Sequence, residues 1–488
     1  MYLGLDLGTS GLKAILVDGD GAVVATADAT YDNPHPHPGW SEQDPADWIA
    51  ACEAVLDRLH ETHPGPLSAL RGIGLSGHMH GATLVGSDDQ VLRPCILWND
   101  TRSAAQAARL DAAPGVRAAT GNIVFPGFTA PKLLWLEENE PEVFAKIAKV
   151  LLPKDYLRLW LTGGHVGDMS DSAGTAWLDV GARDWSATLL DAGHMRRDQM
   201  PDLVEGSEAS GDLRDALRNR WGIAGPVVVA GGAGDNAAAA CGAGCFAEGQ
   251  GFVSLGTSGV LLSAKDSFAP DAASAVHTFC HAVPDRWYQM GVILAATDCM
   301  NWLSRQVGRS AGDLAGTLPD RIDGPSSLTF LPYLSGERTP HNDAQVRGAL
   351  IGLDVAHGHA DLTQAVVEGV SYALRDCLAA LQGTGTELRS IIAMGGGARS
   401  RFWLETLASV LEQPLSIPTG GEFGAALGAA RLGIAAATGE SLSAIMTPPA
   451  IAEVIDPRAD LTERYASGWQ RYRGLYGAVR PTPDEAAV

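Results

Sequence analysis

The chain has 488 residues, 46% of them hydrophobic and 19% charged, and its formal net charge at pH 7 is −22. This length and composition exclude a disordered or fibrous protein and are typical of two globular domains. Because the chain is acidic and has no dense run of lysine and arginine, we expect it to bind neither nucleic acid nor an anionic membrane.

Seven cysteines are spread along the chain, and only Cys241 and Cys245 lie close together. Their number is odd and their spacing fits no zinc motif, so we predict buried free thiols and not disulfides or a metal site. The first residues lack a basic segment, and no apolar stretch reaches membrane-spanning length. We therefore expect a cytoplasmic protein.

The first predicted elements are strands. Apolar residues alternate over residues 3–7, a glycine-rich turn follows at 8–11, and further strands are predicted at 12–17 and 22–25. Strands joined by such short turns predict an antiparallel meander. The next element is a helix, predicted at 45–59 from its apolar spacing.

The turn at residues 8–11 is a candidate phosphate site. It offers backbone N–H groups and two hydroxyls with little steric bulk. Asp6, just before it, is suited to hold hydrated Mg²⁺, and Lys13 adds a positive charge. A tight turn with a structural aspartate explains the segment equally well. Within the turn, the candidate phosphate-binding residues are Gly8, Thr9 and Ser10.

Two further predicted strands, at 73–76 and 91–98, are followed by candidate sugar contacts. His78 and His80 are two positions apart, but no third metal ligand is evident, so His80 is interpreted as a polar contact to a sugar. Trp98 stands beside an amide and a carboxylate, a combination that suits polyol recognition. A lone tryptophan is more often part of the core, and that alternative stays open.

Asp235 is the strongest candidate for a catalytic base. A predicted strand at 227–230 runs into glycines, and Asp235 and Asn236 then open an alanine-rich helix. An aspartate in this position is commonly a helix N-cap. The functional alternative is that its carboxylate accepts the proton of a hydroxyl that attacks a γ-phosphate.

The Gly-Thr-Ser-Gly string of residues 8–11 recurs at 256–259, again between two predicted strands. The recurrence lies about half a chain length later, which indicates two similarly built halves. Residues 246–251 resemble a linker between them.

The last part of the chain contains a predicted helix at 361–381 and a predicted strand at 391–393 that runs into Gly395 and Gly396. These glycines allow a backbone to approach a flat ring or a phosphate closely, although glycines also serve helix–strand packing. The chain has no Gly-Lys dipeptide, which excludes a Walker A loop. A Gly-x-Ser-x-Gly string at 308–312 follows polar residues and not a strand, so a serine-hydrolase elbow is not expected.

Together these clusters resemble the carbohydrate kinase superfamily of glycerol, gluconate and pentulose kinases, over nearly the whole chain. The match is carried by residues 6–10, 127–136 and 348–353, with 361–368 after them. The pentulose kinases of the superfamily are the most similar. The segments that indicate them are 40–45, 79–83, 152–156, 168–171 and 335–341.

The resemblance implies an α/β fold with two actin-like (ribonuclease-H-like) domains around an interdomain cleft. It assigns residues 1–245 to an N-terminal domain with the sugar site and the first phosphate motif. It assigns residues 246–488 to a C-terminal domain that binds the nucleotide. A homodimer is expected from the family only.

The resemblance also implies roles for single residues. Asp235 is the expected catalytic base, and Asp6 and Asp235 are the expected residues at Mg²⁺. The expected sugar contacts are Met79, His80, Trp98, Asp235 and Asn236. The expected ATP contacts are Gly8, Thr9, Ser10, Lys13, Gly256, Thr257 and Ser258 at the phosphates and Gly395 and Gly396 at the adenosine.

The activity that the resemblance implies is in-line transfer of phosphate from ATP to D-xylulose, giving D-xylulose 5-phosphate, with Mg²⁺. Glycerol kinases carry an Arg-Glu pair where this chain has Met79 and His80, which argues against glycerol. Ala233 and Ala239 replace glycines of some relatives and are expected to change the loop and helix only modestly. The alternatives are a kinase for D-ribulose, a pentitol or a deoxy sugar, and a non-catalytic actin-like sugar or nucleotide sensor.

Overall fold

The computed structural model describes residues 1–419 and 424–480, which form an alternation of strands and helices. The strands of the first half are β1 (Tyr2–Leu7), β2 (Gly11–Val17), β3 (Val23–Thr30), β4 (Glu42–Gln43), β5 (Gly72–Gly77), β6 (Thr83–Val85), β7 (Cys95–Ile96), β8 (Lys149–Leu151), β9 (Val166–Asp168), β10 (Leu178–Asp179), β11 (Asp184–Trp185), β12 (Asp202–Val204), β13 (Ala209–Asp212), β14 (Val228–Ala230) and β15 (Ala233–Gly234). Those of the second half are β16 (Gln250–Leu255), β17 (Gly259–Lys265), β18 (His277–Cys280), β19 (Trp287–Ile293), β20 (Thr329–Leu331), β21 (Ala349–Ile351), β22 (Ser390–Met394), β23 (Leu415–Pro418) and β24 (Ile451–Ile455).

The helices cover the faces of the sheets. They are α1 (Pro45–Thr62), α2 (Pro64–Ser68), α3 (Ala104–Asp111), α4 (Val116–Thr120), α5 (Thr129–Asn139), α6 (Pro141–Phe144), α7 (Pro153–Thr162), α8 (Met169–Ser172), α9 (Ala187–Ala192), α10 (Asp215–Arg220), α11 (Asp235–Ala243), α12 (Thr297–Val307), α13 (Ala311–Ala315), α14 (His359–Gly383), α15 (Arg401–Leu411), α16 (Ala425–Thr438), α17 (Leu442–Ile445) and α18 (Thr462–Val479).

The two halves each contain a large mixed sheet, and six strands have the same arrangement in both sheets when one order is read in reverse; β18 is an additional strand of the second sheet. The first runs β13-β14-β5-β1-β2-β3, and the second runs β18-β19-β17-β16-β22-β23-β24. In each sheet, the first strand of an antiparallel meander also pairs with a parallel strand. That parallel pair is β1 with β5 in the first sheet and β16 with β22 in the second. Each sheet then ends in an antiparallel edge strand, β13 or β24. The prediction of two similarly built halves from the repeated turn string is confirmed.

Most predicted elements are present. The N-terminal meander is formed by β1, β2 and β3, and the predicted helices correspond to α1 and α14. The strand predicted at 91–98 is wrong in extent, because only Cys95–Ile96 pairs as a strand, with β4. Cys95, Ile96 and Leu97 are buried there, but Trp98 is exposed, and the segment has no long partner strand. The linker predicted at 246–251 is also too long, since Gln250 already begins β16.

The halves are packed against each other through helix α16, which lies between β23 and β24 of the second sheet along the chain but packs on the first sheet. Gly428 of α16 faces α11, where an added Cβ would lie 1.7 Å from the carbonyl oxygen of Ala238. Gly74 of β5 faces the same helix, with 1.7 Å to the carbonyl oxygen of Ala429. Small residues therefore allow these backbones to approach closely. The domain boundary after residue 245 stays a prediction, and the last eight residues of the predicted second domain lie outside the described part.

All seven cysteines are buried and unpaired, which confirms the prediction of free thiols. The string at 308–312 follows helix α12 and not a strand, as expected. Among the described helices, none is both long and apolar enough to cross a membrane.

Candidate active site

Asp6 is placed by the central strands of the first sheet. On β1 it lies opposite Lys13 of β2 and Ser76 of β5. The Ser76 hydroxyl donates a hydrogen bond of 2.9 Å to Asp6 Oδ1. Burial raises the pKa of Asp6, while the Ser76 hydrogen bond and the charge of Lys13 oppose that rise. Asp6 is thus a partly buried carboxylate held by Ser76, and its charge acts on Asp235, which lines the cleft.

Asp235 is the first residue of helix α11, and Gly234 is its N-cap. The alternative that Asp235 caps the helix is therefore wrong. Its Oδ1 accepts two hydrogen bonds from Asn236, 2.7 Å from the backbone N and 2.9 Å from Nδ2. Burial, with a further contribution from the negative charge of Asp6, raises the pKa of Asp235 to about 6. Its Oδ2 accepts no hydrogen bond from any described residue, so it is available to a ligand.

The loop before Asp235 is held by polar groups of the first half. The Arg158 guanidinium donates to the carbonyl oxygen of Gly231, and the backbone N of Gly234 donates to Ser170 Oγ at 3.2 Å. The position of Asp235 is therefore fixed on both sides of the glycine loop.

Behind this loop lies a buried ionic cluster around the ammonium of Lys154. Its Nζ lies 2.6 Å from Asp155, 2.7 Å from Asp168 and 3.2 Å from Asp171. Burial opposes a charge on Lys154, but the three carboxylates raise its pKa above the usual range. The carboxylates have the spacing of a metal site, but the ammonium already supplies the cation there. The sequence analysis assigned no role to these residues, although charged residues within an apolar helical segment were a usable signal.

The first phosphate turn joins β1 to β2. The backbone N of Gly8 donates to Gly11 O at 2.9 Å, which closes the turn. Trp98 Nε1 donates to Thr9 Oγ1 at 3.0 Å, so the predicted sugar contact and the predicted phosphate turn meet directly. Ser10 is exposed at the tip.

The second phosphate turn joins β16 to β17 in the second half. Its backbone is anchored on α12: Thr257 O accepts from the backbone N of Ala296 at 2.7 Å, and Gly256 O accepts from that of Thr297 at 2.9 Å. Thr257 and Ser258 are exposed. The two turns thus present hydroxyls and amides from opposite halves.

Between the halves lies a cleft of about 330 Å³, and it brings together most of the predicted sugar and phosphate contacts. The predicted residues that line it are Met79, His80, Trp98, Asp235, Asn236, Gly256 and Ser258. Thr257 is beside it without lining it. The lining residues that the sequence analysis missed include His277 and Arg338. Arg338 lies in the segment 335–341 that carried the resemblance, but no pattern in the neighbouring residues indicated that its side chain faces the cleft.

His80 has a left-handed backbone conformation, with φ of 71°. Its carbonyl oxygen accepts from Thr129 Oγ1 at 3.1 Å and from Lys132 Nζ at 2.8 Å, both on α5. Its Nδ1 lies 2.7 Å from Gly174 O and must carry the proton, because a carbonyl oxygen only accepts. Burial lowers the pKa of His80 to about 3, so the ring is neutral and Nε2 is an acceptor. A residue other than glycine that its neighbours hold in a left-handed backbone conformation is typical of a ligand site.

A second cavity, of about 490 Å³, lies in the second half and includes Gly396 and Trp403 in its lining. A Cβ on Gly396 would meet no atom within 4 Å, so packing does not require this glycine. Gly395 is different: its φ is +90°, and a Cβ would lie 2.7 Å from Leu255 O. The two glycines therefore have different roles: Gly396 faces the cavity, and the turn requires a glycine at position 395.

The two carboxylates of Asp6 and Asp235 fit the donor set that Mg²⁺ prefers, which is oxygen from one or two carboxylates together with phosphates and water. Both have pKa values raised by burial, and the charge of Asp6 acts on Asp235. A divalent cation would relieve this repulsion. The residues present thus fit the metal that a nucleotide would bring.

Three kinds of comparison match the chain to known proteins. Residues 1–242 match the N-terminal domain, and residues 251–437 the C-terminal domain, of the FGGY family of carbohydrate kinases. Xylulose kinase of Escherichia coli (strain K12) is 46% identical over 484 residues, which cover 99% of each chain. Xylulose kinase of Klebsiella pneumoniae is 44% identical over 488 residues, again 99% of each. The crystal structure of a xyloylose kinase from Brucella ovis superimposes with a TM-score of 0.97 at 57% identity, covering 98% of this chain and 99% of that one. The predicted α/β fold with two actin-like domains around a cleft is thereby confirmed.

Proposed function

Because the chain belongs to the FGGY family of carbohydrate kinases, we propose that it transfers the γ-phosphate of ATP to D-xylulose and releases D-xylulose 5-phosphate and ADP. The observation that carries this proposal is the free Oδ2 of Asp235. Asp235 lies in a cleft that is also lined by His80, Trp98 and Ser258 of the second phosphate turn, and Trp98 donates a hydrogen bond to Thr9 of the first turn. The relatives named xylulose kinase supply the choice of sugar.

Asp235 acts as the general base in this proposal. Its Oδ2 accepts the proton of the sugar's C5 hydroxyl while that oxygen forms a bond to the γ-phosphorus and the bond from phosphorus to the bridging oxygen of ADP breaks. With a pKa of about 6, Asp235 is mostly ionised at neutral pH and still basic enough to take a proton. Asn236 holds Oδ1 and so fixes the direction of Oδ2.

The phosphates are positioned by the two turns and by Lys13. The amides and hydroxyls at Gly8, Thr9 and Ser10 approach from the first half, and Ser258 lies opposite on the second. Phosphoryl transfer depends mainly on positioning and charge neutralisation, which such turns supply. When bound at Asp6, Mg²⁺ neutralises the charge that develops on the phosphate oxygens.

The adenosine is assigned to the cavity beside Gly396. It is large enough for a nucleoside, and Trp403 and Met300 give it apolar walls. It adjoins α12, whose first residue anchors the second phosphate turn. One nucleotide can therefore extend from this cavity to the cleft.

An ADP-release assay tests the proposal, with Mg-ATP and D-xylulose, D-ribulose, pentitols, glycerol and gluconate as acceptors. The phosphorylated sugar is identified by mass spectrometry and NMR. A kcat/KM for D-xylulose well above that of the other acceptors is the expected result. Preference for another acceptor overturns the choice of sugar, and binding of ATP and sugar without transfer indicates a sensor.

A further inference from the structure

Arg338 crosses from the second half to the first at one end of the cleft. It lies in the loop between β20 and β21, and its Cζ is 4.3 Å from the ring centroid of Phe125. It also lines the cleft that contains Asp235. A guanidinium over an aromatic face has its planar orientation fixed, which leaves its edge of N–H donors facing outward.

The guanidinium of Arg338 makes no hydrogen bond or ion pair with any residue in 1–419 or 424–480. The neighbouring Glu337 carboxyl is occupied by backbone groups: its Oε1 accepts from the backbone N of Arg338 at 2.7 Å and from that of Leu294 at 3.2 Å. Burial raises the pKa of Glu337 to about 8, so it is mainly neutral at pH 7 and does not balance the charge. The guanidinium is half-buried and lines the cleft, so a ligand there that accepts hydrogen bonds can use its N–H donors.

The rings around Arg338 define what this end of the cleft can recognise. His80 stacks on Phe128 at 4.6 Å, and His277 lies 5.4 Å from Phe125. His277 Nδ1 is 3.2 Å from Asn122 Oδ1, which leaves its Nε2 as an acceptor, as in His80. Arg338 therefore adds a fork of donors to two neutral acceptors. That combination fits an uncharged ligand with several adjacent oxygens.

We propose that Arg338 is a specificity-determining residue of the sugar site, which donates hydrogen bonds to the oxygens on carbons 1 and 2 of the ketopentose, at the end remote from Asp235. This inference rests on the proposed function. A ketone oxygen only accepts hydrogen bonds, so it needs a donor, and Arg338 supplies one from the second half. The two adjacent oxygens match the spacing of a guanidinium fork. Since Asp235 faces the hydroxyl that is phosphorylated, the keto end is directed to the His80 and Arg338 wall.

The first test compares R338M and R338K with the wild-type enzyme. R338M keeps the aliphatic length and removes the donors, and R338K keeps the charge without the planar fork. We expect R338M to lower kcat/KM for D-xylulose on the order of 10- to 100-fold, mainly through KM. R338K should recover only part of that loss, while the KM for ATP stays within about threefold. R220M is the matched control, since Arg220 also lies over a ring, 5.2 Å from Trp221, but on the outer surface.

The second test asks which sugar oxygens Arg338 contacts. The R338M penalty is measured with D-xylulose, with 1-deoxy-D-xylulose, which lacks the C1 hydroxyl, and with xylitol, which lacks the ketone. If Arg338 binds the first two oxygens, the penalty is smaller for both analogues, as in a double-mutant cycle. Direct sugar binding, followed by tryptophan fluorescence, supplies the same comparison for an analogue that is not phosphorylated.

Equal penalties for all three sugars, or a KM for D-xylulose in R338M like that of wild type, overturn the inference. If R338M does not fold, as judged by circular dichroism and melting, R338K decides, and an unchanged sugar KM in R338K counts against the proposal. Failure of the proposed function is distinguishable, because then the wild-type enzyme itself does not phosphorylate D-xylulose. In that case the variants are measured with the accepted sugar, and an unchanged KM overturns the role of Arg338 there as well.

Discussion

The negative charge of Asp6 on strand β1 raises the pKa of Asp235 at the start of helix α11, although the two residues are far apart in sequence. Asp235 lines the cleft, and burial also raises the pKa of each carboxyl group. Two like charges that interact in this way disfavour joint ionisation unless a cation binds them both. This pair therefore links the protonation of the proposed base to the proposed metal.

The first prediction concerns Asp235 itself. Asp235→Asn keeps the size of the side chain but removes the proton acceptor, so kcat should fall by about 10²- to 10⁴-fold. The ADP-release assay measures this. Asp198→Asn on the exposed surface is the control and should retain wild-type kcat. A D235N enzyme with circular dichroism like wild type and turnover near wild type would show that another group takes the proton.

The second prediction concerns pH. Asp235 must be ionised to act as a base, so kcat/KM for the sugar should be constant above its pKa and fall as the pH drops through about 6. Asp6→Asn removes the charge that raises this pKa, and its residual activity should persist to lower pH. Rate profiles of both enzymes between about pH 5 and 8 check this. An acid limb at the same pH in both enzymes would refute the coupling.

The third prediction concerns the nucleotide cavity. Gly396→Leu places a side chain in space that the protein itself leaves open, so the KM for ATP should rise at least about tenfold while the sugar KM changes little. Gly474→Leu is the matched control, because a Cβ there also meets no atom within 4 Å but lies outside the cavity. Equal ATP KM values in the two variants would place the adenosine elsewhere.

The fourth prediction concerns the ionic cluster behind Asp235. Lys154→Met removes the ammonium that Asp155, Asp168 and Asp171 share, and only Asp155 keeps a cation, the guanidinium of Arg158. The loss should cost about 3–5 kcal/mol and lower the melting temperature by about 3–5 °C, since the unfolding entropy of a chain of this length is about 1 kcal/mol/K. Differential scanning calorimetry measures the change. Lys146→Met, the same substitution on an exposed lysine, should shift the melting temperature by less than about 2 °C. Similar small shifts in both variants would mean that the carboxylates are protonated or solvated in the folded protein.

Local patterns predicted much of the scaffold because they act over a few residues. The alternation in β1 and β2 and the glycine turn between them are properties of adjacent residues, and the same holds for the helical spacing of α14. The strand predicted at 91–98 is too long because strand pairing depends on residues that are distant in the sequence. A strand requires a partner of matching length, and β4 pairs with only Cys95 and Ile96 of this segment.

The sequence by itself determined the two-halved α/β plan, the glycine turns and the candidates Asp6, His80 and Asp235, because each is written in short-range spacing or in a repeated string. Only the tertiary structure decided which of these residues meet. The effect of the Asp6 charge on Asp235, the hydrogen bond from Arg158 to the loop before Asp235, and the reach of Arg338 to Phe125 join residues far apart along the chain. Such contacts depend on how the two sheets and helix α16 pack, and side-chain packing between distant segments leaves no periodic signal in the sequence.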